Sequence, residues 1–339
     1  MLNKIRSKKI FNIIFAIVSM NRKLKLLRYN NKMQYKLNLT KKDFEDFTLL
    51  KELNETFDLD IKGTDEKVLN LNDNSLGNEA LPYLSKIRFR NLKELNLERN
   101  AINDINNLNG ATYEKLEILN LNINQIYYIN ALENVNFKEL KTLKLGSNRI
   151  YDINPLERVK FEKLEKLWLV SNQIMYINVF EKVKFKELKE LYLGFNQITD
   201  ISAFKNANFK NLKILNLCFN RIVDITPLEK VNFRKLEELF LDNNQIVDIK
   251  VLEKTHFEKL TKLHLNKNNL KDIYVLSKVN YKELKDLNLS SNQIIDLKVF
   301  EKTKFGKLKF LDLRNNLLDQ IKDMKIIKEL KSKIKRFIC

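Results

Sequence analysis

Ten asparagines, Asn100, Asn124, Asn148, Asn172, Asn196, Asn220, Asn244, Asn268, Asn292 and Asn316, stand 24 residues apart with no slip of register. A unit that short cannot bury an apolar face by itself, so it must stack on its neighbours and share one continuous core with them. Ahead of each asparagine runs the frame L-x-x-L-x-L-x-x-N, as in Leu164–Asn172 (LEKLWLVSN) and Leu188–Asn196 (LKELYLGFN). Asn74, 26 residues before Asn100, opens an eleventh, irregular repeat.

The frame assigns a physical role to each fixed position. Leu164, Leu167, Leu169 and Ile174 point inward, and the segment between them is a short strand whose side chains alternate faces. Stacked repeats then make a parallel sheet. The asparagine leaves that sheet at a bend, where its amide can both donate to and accept from backbone groups the turn would strand in the interior. A second ladder has the same spacing: Phe89, Tyr113, Phe137, Phe161, Phe185, Phe209, Phe233, Phe257, Tyr281 and Phe305. One ring per coil reads as an aromatic spine filling the side of the core away from the sheet.

From about Val68 to Leu318 the sequence resembles the leucine-rich repeat superfamily. Its continuation I-x-D-I-x-x-L, as in Ile198–Phe204 and Ile222–Leu228, is similar to that of the bacterial internalins and the leucine-rich regulatory subunit of protein phosphatase 1. The resemblance implies an α/β solenoid, a horseshoe or arc with a concave parallel β-sheet and a convex side of short helical or irregular segments. It also implies that the chain binds other proteins. The first repeat, LNLNDNSLGNEALPYL, looks instead like the ribonuclease-inhibitor type, whose convex helix is longer.

Four segments follow: residues 1–39, a capping helix over 40–65, the array of about eleven repeats over 66–318, and a second capping helix over 319–339. Charge separates them. Residues 1–42 hold 12 Lys and Arg with no Asp or Glu, and 319–339 add a net +4 to a total of +19. The repeat body is left at +3, so the high isoelectric point does not describe a nucleic-acid surface along the solenoid.

Residues 1–39 support several readings. A basic Met1–Lys9 precedes the apolar run Ile10–Met20 (IFNIIFAIVSM), which is too short to span a bilayer. A signal or targeting segment, a basic-apolar anchor at a membrane interface, and a non-functional start upstream of Met20 or Met33 all fit. Two cysteines, Cys218 and Cys339, cannot build the clustered disulfide caps of extracellular repeat proteins, which favours a cytoplasmic location. The alternative is a secreted or membrane-associated protein if residues 1–20 are a signal peptide.

At the ends of the array, Thr40-Lys41-Lys42-Asp43 has the form of a helix start, followed by Phe44, Phe47, Leu50, Leu53 and Phe57 at near-helical spacing. Ile321, Met324, Ile327, Leu330, Ile334 and Phe337 fall on one helical stripe with lysines elsewhere. Both suit caps over open solenoid ends, while the basic C-terminal helix also allows peripheral contact with an anionic membrane.

Chemistry belongs on the solvent face of the sheet, at the third, fifth, seventh and eighth positions of the frame. Down the fifth column the residues run Asn70, Asn96, Asn120, Lys144, Trp168, Tyr192, Asn216, Phe240, His264, Asn288 and Asp312. The neighbouring columns add Val170, Phe195, Ile214, Cys218 and Phe219 to the same central repeats. An apolar patch about 20 Å across, which folding does not require, marks a protein-binding surface. Glu190, Glu238 and Asp242 lie beside the rings, with Lys144 and Lys166 on one side and Lys262 and Lys267 on the other.

An enzymatic reading finds little support. Cys218 and His264 are two repeats apart, about 10 Å at ordinary strand spacing, which exceeds the reach of a nucleophile and its base. No phosphate-cradling glycine loop and no metal-ligand cluster of His and Cys is present, and no cofactor is expected. The recurring Asp200, Asp224, Asp248, Asp272 and Asp296 read as caps on convex helical turns rather than a metal row. The expected function is a non-enzymatic scaffold that holds another protein on its concave face and binds no nucleic acid. The alternative is a membrane-surface or adhesion-type protein tethered by its basic termini.

Overall fold

The computed structural model describes residues 40–319 and 323–339. The readings of residues 1–39, and the place of Ile321, lie outside the described residues. Two compact units make up the chain, Met1–Leu140 and Lys141–Cys339.

In the first unit, helix α1 (Lys41–Phe57) starts at Thr40, whose hydroxyl accepts from the Asp43 N–H while the Asp43 carboxylate accepts from the Thr40 N–H. This capping box satisfies two donors that an open helix end leaves over. The face that α1 buries is Asp43, Asp46, Leu50 and Leu53; Phe44, Phe47 and Phe57 stay half-buried. Apolar spacing picks out Leu50 and Leu53 but not the two buried carboxylates, because the first coil meets the helix with arginines. Arg88 Nε donates to Asp46 at 2.8 Å, and both Arg88 and Arg90 donate to Asp43. Strands β1 (Val68–Asn70), β2 (Glu94–Asn96) and β3 (Ile118–Asn120) follow as a parallel ladder pairing Leu69 with Leu95 and Leu95 with Leu119. The first repeat carries a six-residue α-helix, α2 (Leu81–Lys86), where the later ones carry short 3₁₀ turns.

The second unit repeats one coil. Its strands are β4 (Thr142–Lys144), β5 (Lys166–Trp168), β6 (Glu190–Tyr192), β7 (Ile214–Asn216), β8 (Glu238–Phe240), β9 (Lys262–His264), β10 (Asp286–Asn288), β11 (Phe310–Asp312) and β12 (Arg336–Ile338). Each pairs in parallel with the next, in sequence order. Turns of four or five residues fill the opposite side, such as Ser202–Lys205 and Thr226–Lys230; the last is a short α-helical turn, α3 (Val299–Lys302). Among the described residues, no helix is long and apolar enough to cross a membrane.

The core is what the period requires. Leu164, Leu167, Leu169 and Ile174 and their equivalents are fully buried, and so are the spine rings from Phe89 to Tyr281. Each such ring contributes roughly 1.5–3 kcal/mol over its exposed state. Phe305 departs from this and is only half-buried, since it belongs to the last coil that carries the frame.

From Asn172 onward in the second unit, each ladder asparagine ties its own coil to the one before. Asn196 Nδ2 donates to Leu169 O at 2.9 Å and Leu193 O at 3.0 Å, and its Oδ1 accepts from the Ile174 N–H at 3.0 Å. Asn220, Asn244, Asn268 and Asn292 repeat the arrangement. Asn74 does not: it is exposed, and its own N–H donates to Asn100 Oδ1 instead. On the turn side, the carboxylates of Asp200, Asp224, Asp248, Asp272 and Asp296 each accept from the N–H two residues on at 2.7–2.8 Å, which supplies a backbone donor at the start of the turn.

The C-terminal stripe divides into two elements. Helix α4 (Met324–Lys333) buries Ile326 and Leu330 while Met324 stands exposed, and the chain then forms β12. Arg336, Phe337 and Ile338 pair with β11 and so cover an edge that would otherwise present a row of unpaired backbone groups.

Candidate functional site

The strands of the second unit are three residues long, so only the third and fifth positions are held by sheet pairing. Register sets Trp168 beside Tyr192, Tyr192 beside Asn216, Asn216 beside Phe240, and Phe240 beside His264. The rings therefore gather in pairs. Trp168 and Tyr192 lie 4.7 Å apart between centroids, with the Lys144 ammonium 5.4 Å above the indole. Phe240 meets His264 edge to face at 5.0 Å, and His264 Nε2 is 3.1 Å from Asp286 Oδ1. Phe195 and Phe219 stack at 4.0 Å with an interplanar angle of 11°. Val170, Ile214 and the first four rings are half-buried, whereas Phe195 and Phe219 are the exposed members.

The charges beside the rings are largely matched to one another across adjacent strands. Lys166 pairs with Glu190 at 2.8 Å and Lys262 with Glu238 at 2.8 Å, on either side of Ile214. Glu190 also accepts from the Tyr192 hydroxyl at 3.1 Å. Burial first, then the Glu190 carboxylate, pushes the Tyr192 phenol above its ordinary range, so it stays a neutral donor. Asp242 accepts from the Asn243 side-chain amide.

Cys218 is only 8% exposed, shielded among the neighbouring residues Gly194, Asn216 and Asp242. A β-carbon on Gly194 would come within 2.8 Å of its Sγ, so the missing side chain is what makes room for the sulfur. Burial, followed by the Asp242 carboxylate, raises the thiol to about 11. A nucleophilic cysteine requires the opposite shift.

The eighth position holds a feature that alternation of faces does not reveal. Its backbone is left-handed in every regular repeat of this unit, with φ of 54° at Ser147, 56° at Ser171, 56° at Phe195, 52° at Phe219, 53° at Asn243, 54° at Lys267, 53° at Ser291 and 58° at Asn315. Asn and Ser fill most of that column, and Asn in particular tolerates the conformation by bonding locally. A bulky ring in it is an outlier. The column composition Ser, Ser, Phe, Phe, Asn, Lys, Ser, Asn is the sequence signal from which this could be read. The backbone leaves no choice, since Phe195 N donates to Cys218 O at 2.9 Å and Phe219 N to Asp242 O at 2.9 Å, each locked to the next coil.

Beside these two rings lies a shallow, wide-open groove of about 590 Å³, lined by Phe195, Phe219, Arg221, Asn243 and Lys267 together with the ladder asparagines Asn196, Asn220 and Asn244. Among the described residues no group of His, Cys, Asp and Glu has the arrangement of a metal site.

A family model described as leucine-rich repeats in two copies matches residues 162–206, 186–230 and 210–254. An internalin from Listeria monocytogenes, inlF, is similar in structure, with a TM-score of 0.62 and 26% identity over 89% of this chain and 92% of its own. A plant peptide hormone receptor, RGFR1, solved in complex with RGF2, gives a TM-score of 0.51 at 19% identity, over 70% of this chain and 45% of its own. The leucine-rich repeat ectodomain of a membrane receptor kinase from Arabidopsis thaliana, in complex with Casparian strip integrity factor 2, gives 0.50 at 22% identity, over 71% and 32%. No curated protein matches the chain.

Proposed function

We propose, for a chain that is a leucine-rich repeat protein of internalin-like build, a non-enzymatic function as a scaffold that binds another protein on the concave face of its sheet. One observation carries this reading. Trp168, Tyr192, Phe195, Phe219, Phe240 and His264 gather as three contacting ring pairs on the solvent side of five adjacent strands and the turns that leave them. The core is complete without them, since each coil that carries these rings buries its own leucines and spine ring. Rings of this kind dominate the energetics of protein interfaces.

The array supplies rigidity. Each ring sits on a strand or bend fixed by bonds to both neighbouring coils, so little conformational freedom is lost on association. The paired Lys166–Glu190 and Lys262–Glu238 form a polar rim that tunes rate and selectivity. The two plant ectodomains solved with their peptide or protein ligands support the same use of the fold.

Affinity capture from lysate of the source organism, with Trp168→Ala/Tyr192→Ala beside the unaltered chain, tests the reading. A partner retained by the unaltered chain and lost by the equally folded variant is the expected result. Equal recovery removes the rings from the interface.

A further inference from the structure

We propose that the groove beside Phe195 and Phe219 takes an acidic segment of the protein partner, with an apolar side chain of that segment laid on the two rings and its carboxylates on Arg221 and Lys267. This deepens the concave-face reading and rests on it for the two phenylalanines.

The rings are the first observation. Phe195 and Phe219 occupy left-handed backbone at φ of 56° and 52°, in a column that the second unit otherwise fills with small or polar residues. Such conformations are costly for a bulky side chain and gather at ligand sites. Burial does not offset the strain, because the rings remain 47% and 38% exposed. They stack face to face at 4.0 Å and form one wall of the groove.

Charge is the second, independent observation. Along the sheet face the lysines of the third column are matched to carboxylates on an adjacent strand, Lys166 to Glu190 and Lys262 to Glu238. Arg221 and Lys267 line the groove, both are exposed, and neither has a carboxylate partner among the described residues. Asn243 also lines the groove, its side-chain amide donating to Asp242, which does not line it. An apolar wall facing two unmatched cations complements a segment in which Asp or Glu adjoins Phe, Leu, Trp or Pro.

The test is selection of a phage-displayed random dodecapeptide library on the immobilised full chain, followed by fluorescence anisotropy with the enriched peptides. The expected winners carry carboxylates next to an apolar residue. Their affinity falls about tenfold or more in Arg221→Gln/Lys267→Gln and in Phe195→Asn/Phe219→Asn, and it weakens with added salt. Asparagine suits left-handed backbone, so the second variant keeps its fold, which circular dichroism checks. Enriched peptides without carboxylates, or acidic peptides that bind the double-glutamine variant within about twofold, overturn the proposal. Loss in Trp168→Ala/Tyr192→Ala with no loss in the groove variants overturns the groove and leaves the concave-face reading standing. Binding insensitive to all three variants overturns both.

Discussion

Replacing one ladder asparagine tests how the coils are joined, and Asn220→Ala is the cleanest case. Asn220 Nδ2 donates to Leu193 O at 3.0 Å, Leu217 O at 3.0 Å and Cys218 O at 3.2 Å, and Oδ1 accepts from the Ile198 N–H at 3.0 Å. The three carbonyls each keep another donor: Asn196 on Leu193 O, Asn244 on Leu217 O, and the Phe195 N–H on Cys218 O. The Ile198 amide keeps none, and Ile198 is fully buried. An orphaned buried N–H costs about 1–3 kcal/mol, and the three weakened acceptors add roughly 0.5 kcal/mol each, for a total of about 3 kcal/mol. A repeat array can unfold in parts, so a urea titration followed by circular dichroism should be paired with hydrogen exchange read at the Ile198 amide. The expected outcome is faster exchange there, together with the loss of stability. Asn220→Asp should be no better, since a carboxylate would face three carbonyl oxygens. A loss below about 1 kcal/mol with unchanged exchange at Ile198 would refute the reasoning.

Three further outcomes follow from named groups. Phe195→Asn/Phe219→Asn should leave stability within about 1 kcal/mol, because relieved strain of roughly 1 kcal/mol per residue offsets the lost stacking and partial burial, whereas Phe209→Ala, at 0% exposure, should cost about 3–5 kcal/mol; chemical denaturation compares them. Burial works to raise Asp43, but bonds from the Thr40 N–H and hydroxyl and the charges of Arg90 and Arg88 outweigh it and hold the carboxyl below its ordinary value of 3.8. Its contribution is then fully present above 3.8 and lost as pH falls below that value, so α1 should loosen in acid, and Arg88→Ala should shift that loosening to higher pH, as followed by exchange of the Leu50 and Leu53 amides. Buried Cys218, its thiol raised to about 11, should resist iodoacetamide at pH 8 until the chain unfolds, while exposed Cys339, its thiol also raised by partial burial, should react faster than Cys218 in the folded chain; mass spectrometry of the native and denatured chain distinguishes them.

The period made much of this legible. A 24-residue recurrence places every inward leucine, the asparagine bend and the spine rings, because stacking permits one register only. Alternation does not disclose how exposed a residue just past the strand is: at position seven the small Gly194 leaves room for the Cys218 sulfur, which is thereby shielded from solvent. Position eight adopts left-handed backbone, which a single repeat cannot disclose and the whole column can. Charges read as flanks to the patch turned out to be paired with one another, a consequence of parallel register that sets Lys166 directly beside Glu190. At the ends periodicity yields to docking: Asp43 and Asp46 are buried by arginines from the first coil, and the final residues close the sheet as a strand.

Site-specific photo-cross-linking tests the central claim most directly. A benzophenone amino acid is placed at Tyr192 or Phe240 on the sheet face, or at Tyr274 on an exposed turn of the opposite side, and each chain is irradiated in lysate of the source organism. The concave-face account expects one partner protein cross-linked from positions 192 and 240 and absent from 274. The same partner captured from 274 alone would contradict it.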